Sequence, residues 1–123
     1  MLKSRDLLVI EDDSSIRESL HSVFSDEGYQ VTCAENGKEG LDFLEQTQKD
    51  QKPLPSLILL DLNMPIMSGE AFLAVQKSRP ELRDIPVAVF TAAGGKVKPP
   101  LAEDFVRKPI NLEDLLSLVK KYC

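Results

Sequence analysis

The stretch Leu57-Ile58-Leu59-Leu60-Asp61-Leu62-Asn63-Met64-Pro65 is an apolar run that ends abruptly in a carboxylate. Four consecutive apolar residues read as a strand buried on both faces, as in the centre of a parallel sheet. Open α/β sheets bind ligands outside the carboxyl ends of their strands, so Asp61 is a candidate functional group by position. The arrangement recurs along the chain. Leu7-Leu8-Val9-Ile10 runs into Glu11-Asp12-Asp13, Val87-Ala88-Val89-Phe90 into Thr91, and Phe105-Val106-Arg107 into Lys108-Pro109. In a parallel sheet those ends lie side by side. One edge then carries an acidic cluster, a further carboxylate, a hydroxyl and an ammonium.

Working outward, strand and helix patterns alternate, which predicts a parallel sheet covered on both faces. Strands are expected over about 6–10, 30–34, 57–61, 86–91 and 104–107. Helices are expected over about 14–27, 36–48 and 69–78, with a last one starting at Asn111. In the first helix Ile16, Leu20, Val23 and Phe24 keep helical spacing, Gly28 is the stop, and Ser15 with Glu18 forms a candidate capping box. Asn36 caps the second helix with Glu39 at the reciprocal position, and Leu41 and Leu44 face inward. The last helix is expected to carry Leu112, Leu115, Leu116 and Val119 on one face. The fold class is α/β: a flavodoxin-like, doubly wound five-stranded parallel sheet for which the pattern suggests the order 2-1-3-4-5. That order makes the first and third strands neighbours and puts Asp12 and Asp61 in one crevice.

Composition narrows the function. A chain of 123 residues is one domain, expected over residues 1–123. Fifteen basic against twenty acidic residues give a net charge of −5 without a basic cluster, which argues against nucleic-acid binding. No run approaches a membrane span, and the N-terminus has no apolar signal core. Cys33 and Cys123 do not make a disulfide framework, and Cys33 reads as a small core residue. The cytoplasm is the default compartment. His21 has no cysteine or histidine nearby, so it reads as a surface residue rather than a metal ligand.

Each candidate has an ordinary explanation beside the functional one. Asp61 alone reads equally well as a turn or capping residue. The following helix, however, has its cap at Ser68, which leaves Asp61 without that job. Carboxylates also serve as phosphoryl acceptors. Helix-dipole compensation accounts for Asp13. It accounts less well for three consecutive acids beside Asp61, which would repel one another unless a cation bound there. Mg²⁺ takes hard oxygen ligands of this kind. Thr91 alone is a β-branched strand end, and Lys108 alone a solvated lysine before a proline. As a set they fit phosphoryl transfer, which asks of a protein mainly positioning and charge stabilisation.

Asp61, the acids around residue 12, Thr91 and Lys108, in this order on this strand pattern, closely resemble the receiver domain of two-component response regulators. The resemblance runs from Leu7 to about Tyr122. Its most specific pieces are Val9-Ile10-Glu11-Asp12-Asp13, Leu59 to Pro65 followed by Ser68-Gly69, and Lys108-Pro109. It implies that Asp61 is the phospho-acceptor and that Thr91 and Lys108 assist the transfer. It implies a Mg²⁺ cofactor held by Asp12 directly, Glu11 through water, Asp61, and the backbone carbonyl of Asn63. The spacing to Ile16-Arg17 aligns Glu11 and Asp12 with the family's acidic pair. The resemblance further implies a cis Lys108-Pro109 peptide and a switch role for Phe105 coupled to Thr91; the ordinary reading of Phe105 is a core aromatic.

One segment departs from the family. Between the fourth and fifth strands a receiver normally has a full helix. Here residues 92–104 are several residues short and contain Gly94-Gly95 and Pro99-Pro100, which oppose helix. The fourth helix is therefore expected to be shortened or absent, and the protein to be a monomer. Met1 and a helix ending at Cys123 favour a complete, stand-alone receiver over an excised domain. The expected partners are a sensor histidine kinase or phosphotransfer protein upstream and a protein target downstream. No enzymatic turnover is expected beyond self-phosphorylation and autodephosphorylation. Two rivals remain. A haloacid-dehalogenase-type phosphohydrolase would place a second acid where Asn63 stands. A receiver-fold binding module not regulated by phosphorylation would have a degraded acceptor set.

Overall fold

The computed structural model describes residues 5–62, 64, 66–91, 100–107 and 111–123, with Thr91 and Arg107 described by backbone alone. The strands are β1 (Asp6–Ile10), β2 (Gln30–Ala34), β3 (Leu57–Asp61), β4 (Val87–Thr91) and β5 (Asp104–Arg107). The helices among the described residues are α1 (Ser14–Asp26), α2 (Gly37–Lys49), α3 (Gly69–Ser78) and α4 (Leu112–Tyr122). All strand pairs are parallel, in the order β2-β1-β3-β4-β5. The expected order is therefore observed, with β1 and β3 adjacent.

Strand periodicity divides the core into two layers. Leu7, Val9, Leu57, Leu59, Ala88 and Phe90 face Leu20 and Phe24 of α1 and Leu115 and Val119 of α4. Leu8, Ile10, Ile58, Leu60, Val87 and Val89 face Leu41 and Leu44 of α2 and Phe72 and Leu73 of α3. Every residue of β3 is buried. An apolar side chain buried in this way contributes roughly 1.5–3 kcal/mol. That burial pins the register, since a slip of one residue would exchange the two layers.

The local signals are mostly where the sequence put them. Asn36 Oδ1 accepts from Glu39 N at 2.9 Å, and Ser68 Oγ from Ala71 N at 3.1 Å. The Glu39 carboxylate reaches back to Glu35 N at 2.9 Å. Gly28 follows α1 at φ +91°, a conformation that favours glycine. His21 is exposed, and both cysteines are free and half-buried.

Two expectations need correction. The cap of α1 is Asp13, not the Ser15–Glu18 box: Asp13 Oδ1 accepts from Ser15 N at 2.8 Å and Ile16 N at 3.2 Å. The helix starts at Ser14 as expected, so the residue before it is the one placed to accept from the first free amides. Leu112 is not on the buried face of α4; it is 45% exposed, in the first turn, where it lines a surface cleft with Ile16 and Leu20 of α1. Between β4 and β5, residues 100–103 form turns and bends, and no helix occurs among the described residues there. Residues 92–99 lie outside them.

Candidate functional site

The sheet register builds the site. Ile10 pairs with Leu60, so the chains leaving β1 and β3 present Glu11 and Asp61 side by side. Glu11 N donates to Ala34 O at 3.0 Å, which continues the β1–β2 ladder one residue beyond the strand. Glu11 and Asp61 are buried, at 0% and 1% exposure, while Asp12 is exposed at the mouth. One carboxylate oxygen from each of Glu11, Asp12 and Asp61 lies within 4.8 Å of the others. Asp13, committed to capping α1, is not among them.

Crowding shows in the protonation of Glu11. Its carboxyl is raised from 4.5 to about 8. Burial is the main cause, followed by hydrogen bonds shared with Asp61 and Asp12, which favour the protonated form. The amide of Asp13, donating to Glu11 Oε2 at 3.2 Å, pulls the other way. Three hard oxygen donors this close, two of them buried, suit a small divalent cation such as Mg²⁺.

Of the remaining predicted residues, Thr91 and Phe105 are among those the structure describes. Phe90 pairs with Asp61 across β3 and β4, so the next residue, Thr91, ends β4 beside the pocket; its side chain is outside the described residues. Asn63, Lys108 and the Lys108-Pro109 peptide are outside them as well. Phe105 pairs with Val89 and is half-buried against the α2–α3 core layer.

Two residues of the site escaped prediction in these roles. In the sequence Gly69 figures only as part of the Ser68-Gly69 piece of the resemblance. A Cβ there would stand 2.7 Å from Asp61 O and 2.7 Å from Leu62 Cα, so only glycine lets α3 start against the end of β3. Arg17 served only as a marker of register. Its Nη1 donates to Glu11 O at 2.9 Å and to Asp12 O at 3.2 Å. A long cationic side chain one turn behind an acidic loop was the available signal.

An open parallel sheet with a carboxylate pocket across β1 and β3 defines the receiver class. The chain belongs to the response regulator receiver domain family, whose model matches residues 7–120. Among its relatives, the phosphate regulon transcriptional regulatory protein PhoB of Klebsiella pneumoniae is 33% identical over 95% of this chain. The chain spans about half, 51%, of the length of that relative. The signal receiver domain of a signal transduction histidine kinase from Syntrophus aciditrophicus superposes with a TM-score of 0.80 at 32% identity. It covers 95% of this chain and 88% of that one. The Mn²⁺-bound form of response regulator Rcp1 superposes with a TM-score of 0.74 at 28% identity, covering 94% and 89%.

Proposed function

We propose that this receiver domain accepts a phosphoryl group on Asp61 from a histidine kinase or phosphotransfer protein and signals by protein contact. The observation that carries the reading is the meeting of Glu11, Asp12 and Asp61 at adjacent strand ends, with ligand oxygens within 4.8 Å. A carboxylate oxygen of Asp61 attacks phosphorus, a P–O bond forms, the P–N bond of the donor's phosphohistidine breaks, and the imidazole leaves. Asp12 and Asp61, with Glu11 through water and the Asn63 carbonyl, would hold Mg²⁺. When bound, the metal neutralises negative charge on the transferring group. That a relative of 28% identity was crystallised with Mn²⁺ supports the metal assignment. In this reading Lys108 and Thr91 serve the remaining phosphoryl oxygens, and Phe105 relays the change to the surface beside β5. The donor meets the domain in the cytoplasm; among the described residues no helix is long and apolar enough to cross a membrane.

Incubation with acetyl phosphate and Mg²⁺, followed by intact mass, tests the assignment. One phosphoryl mass should appear in the wild type, vanish with chelator, and be absent from Asp61→Asn. Unchanged labelling of that variant would transfer the role elsewhere. A wild type that stays unlabelled under these conditions would favour a binding module that phosphorylation does not regulate. The sequence of residues 92–104 also leads us to propose a monomer in both states. Light scattering with and without beryllofluoride should give one mass, and an activation-dependent dimer buried on residues 92–110 would refute this.

A further inference from the structure

The acid pocket has an unsolved mechanical problem before any cation binds. Glu11 and Asp12 are consecutive residues of a loop, and both must turn their carboxyl groups toward Asp61, although consecutive side chains of an extended chain point to opposite sides. Something has to hold that loop from behind. Side chains of a helix lean toward its N-terminus, so a long residue in the second turn reaches the loop that precedes its own helix. Arg17 is that residue in α1. Its Nη1 bonds the backbone carbonyls of Glu11 and Asp12 together, at 2.9 and 3.2 Å. Its Nη2 lies 3.6 Å from Glu35 Oε1, in the loop after β2. The Arg17 side chain is only 17% exposed, against 64% for Glu35.

We propose that Arg17 is a positioning residue of this pocket: by gripping the backbone of Glu11 and Asp12 it holds their carboxylates in the metal-accepting arrangement. The proposal rests on the reading of the pocket as a divalent-cation site. The choice of partner is what matters. A guanidinium bonded to the carboxylates themselves would occupy the ligand oxygens and compete with the metal. Bonded to the carbonyls, it supplies positive charge near three acids and leaves those oxygens to the cation. Rotation of either peptide would break a charge-assisted bond, so the loop is ordered before binding. The fork of donors spans two carbonyls and Glu35 at once, which a single ammonium on a shorter stem does not reproduce. The pair with Glu35 is a minor part, because exposed ion pairs contribute little.

The test is Mg²⁺ titration by calorimetry of the full 123-residue chain, with Arg17→Ala, Arg17→Lys and Glu35→Gln beside the wild type. Melting curves in chelator accompany each. Outer partners of metal ligands are commonly worth about 10-fold to 100-fold in affinity. Arg17→Ala should therefore weaken Mg²⁺ by about tenfold or more. Arg17→Lys should fall between it and the wild type, and Glu35→Gln should stay within about twofold. With acetyl phosphate, the Mg²⁺ concentration for half-maximal labelling should rise in Arg17→Ala, while the rate at saturating Mg²⁺ stays near that of the wild type. A purely structural arginine would not produce that split. Wild-type affinity in Arg17→Ala would overturn the proposal and leave the pocket reading standing. If Arg17→Ala does not fold, Arg17→Lys decides, and wild-type affinity there would refute the need for the fork. A wild type that binds no Mg²⁺ would overturn the pocket reading itself and this proposal with it.

Discussion

The two edges of the sheet handle charge in opposite ways. Where the strands end, like charges crowd together: Glu11 and Asp61 are buried, Asp12 stands at the mouth, and Glu11 responds by holding its proton. Where the strands begin, opposite charges pair. Lys77 Nζ lies 3.0 Å from both carboxylate oxygens of Glu103, and it also donates to the carbonyls of Arg83 and Ile85. Glu103 Oε1 accepts from Val87 N at 2.7 Å, which closes the network onto β4. Arg79 pairs with Glu45, and Lys121 with Asp104. The buried Gln76 donates to Leu82 O at 2.6 Å and Ile85 O at 3.1 Å, holding the α3–β4 loop. The lesson is a division of labour. One edge stays electrostatically unfavourable so that a cation has something to gain by binding. The other supplies ion pairs and hydrogen bonds that hold the segments leading into the strands.

The sharpest way to break this comparison is pH in the absence of metal. Glu11 binds its proton more tightly in the folded protein, at about 8, than at its ordinary value of 4.5. The stability linked to that proton is fully present below about 4.5 and is lost as pH rises through about 8. Glu11→Gln keeps the neutral form at every pH. In chelator its stability advantage over the wild type, measured by denaturant melts, should widen between about pH 5 and about pH 8, reaching the order of a few kcal/mol. Added Mg²⁺ should shrink the gap, because it binds the full acid set of the wild type more tightly than the set lacking one carboxylate. A gap that does not change with pH would mean that the crowded edge carries no electrostatic strain.

At the other edge the counterpart is Gln76→Leu. It keeps the apolar bulk and removes the donor of two buried carbonyls. Chemical denaturation should show a loss of roughly 2 kcal/mol. Mg²⁺ affinity should stay at the wild-type value, since α3 meets the acid pocket at its opposite end. Loss of metal binding in this variant would show that the two edges are mechanically coupled.

The smallest effect concerns backbone strain beside the pocket. Ile66 adopts φ 70°, a left-handed conformation unfavourable for a β-branched residue, and its side chain is 80% exposed. Ile66→Asn removes the strain without opening the core. It should raise stability by about 1 kcal/mol in a denaturant melt. No gain would place the strain elsewhere at this edge, or nowhere.

The fold was readable because its signals are local and redundant. Unbroken apolar runs such as Leu57 to Leu60, punctuated by Gly28, Asn36 and Ser68, leave few ways to assign strands and helices. The bounds of β1, β2, β3 and β5 match the expectation to the residue. The misses were in the first turns of helices: Asp13 rather than Ser15 caps α1, where one hydrogen bond decides between neighbours, and Leu112 of α4 stays 45% exposed. The ordered set of Asp61, acids, Thr91 and Lys108 pointed to the receiver family, to which the chain belongs.

Linear order carries the strand pattern, the placing of polar groups at strand ends and the resemblance to receivers, because each depends on neighbours a few residues apart. Tertiary structure decided what those groups feel. Only the parallel register of β1 against β3 brings Glu11, Asp12 and Asp61 to within 4.8 Å, and only burial there lifts the Glu11 carboxyl. Only the closeness of α3 to the end of β3 makes Gly69 obligatory. Arg17 gains its grip on Glu11 and Asp12 because α1 turns back over the loop it follows. Electrostatic coupling and van der Waals exclusion act over a few ångströms in space, and these packed contacts set those distances.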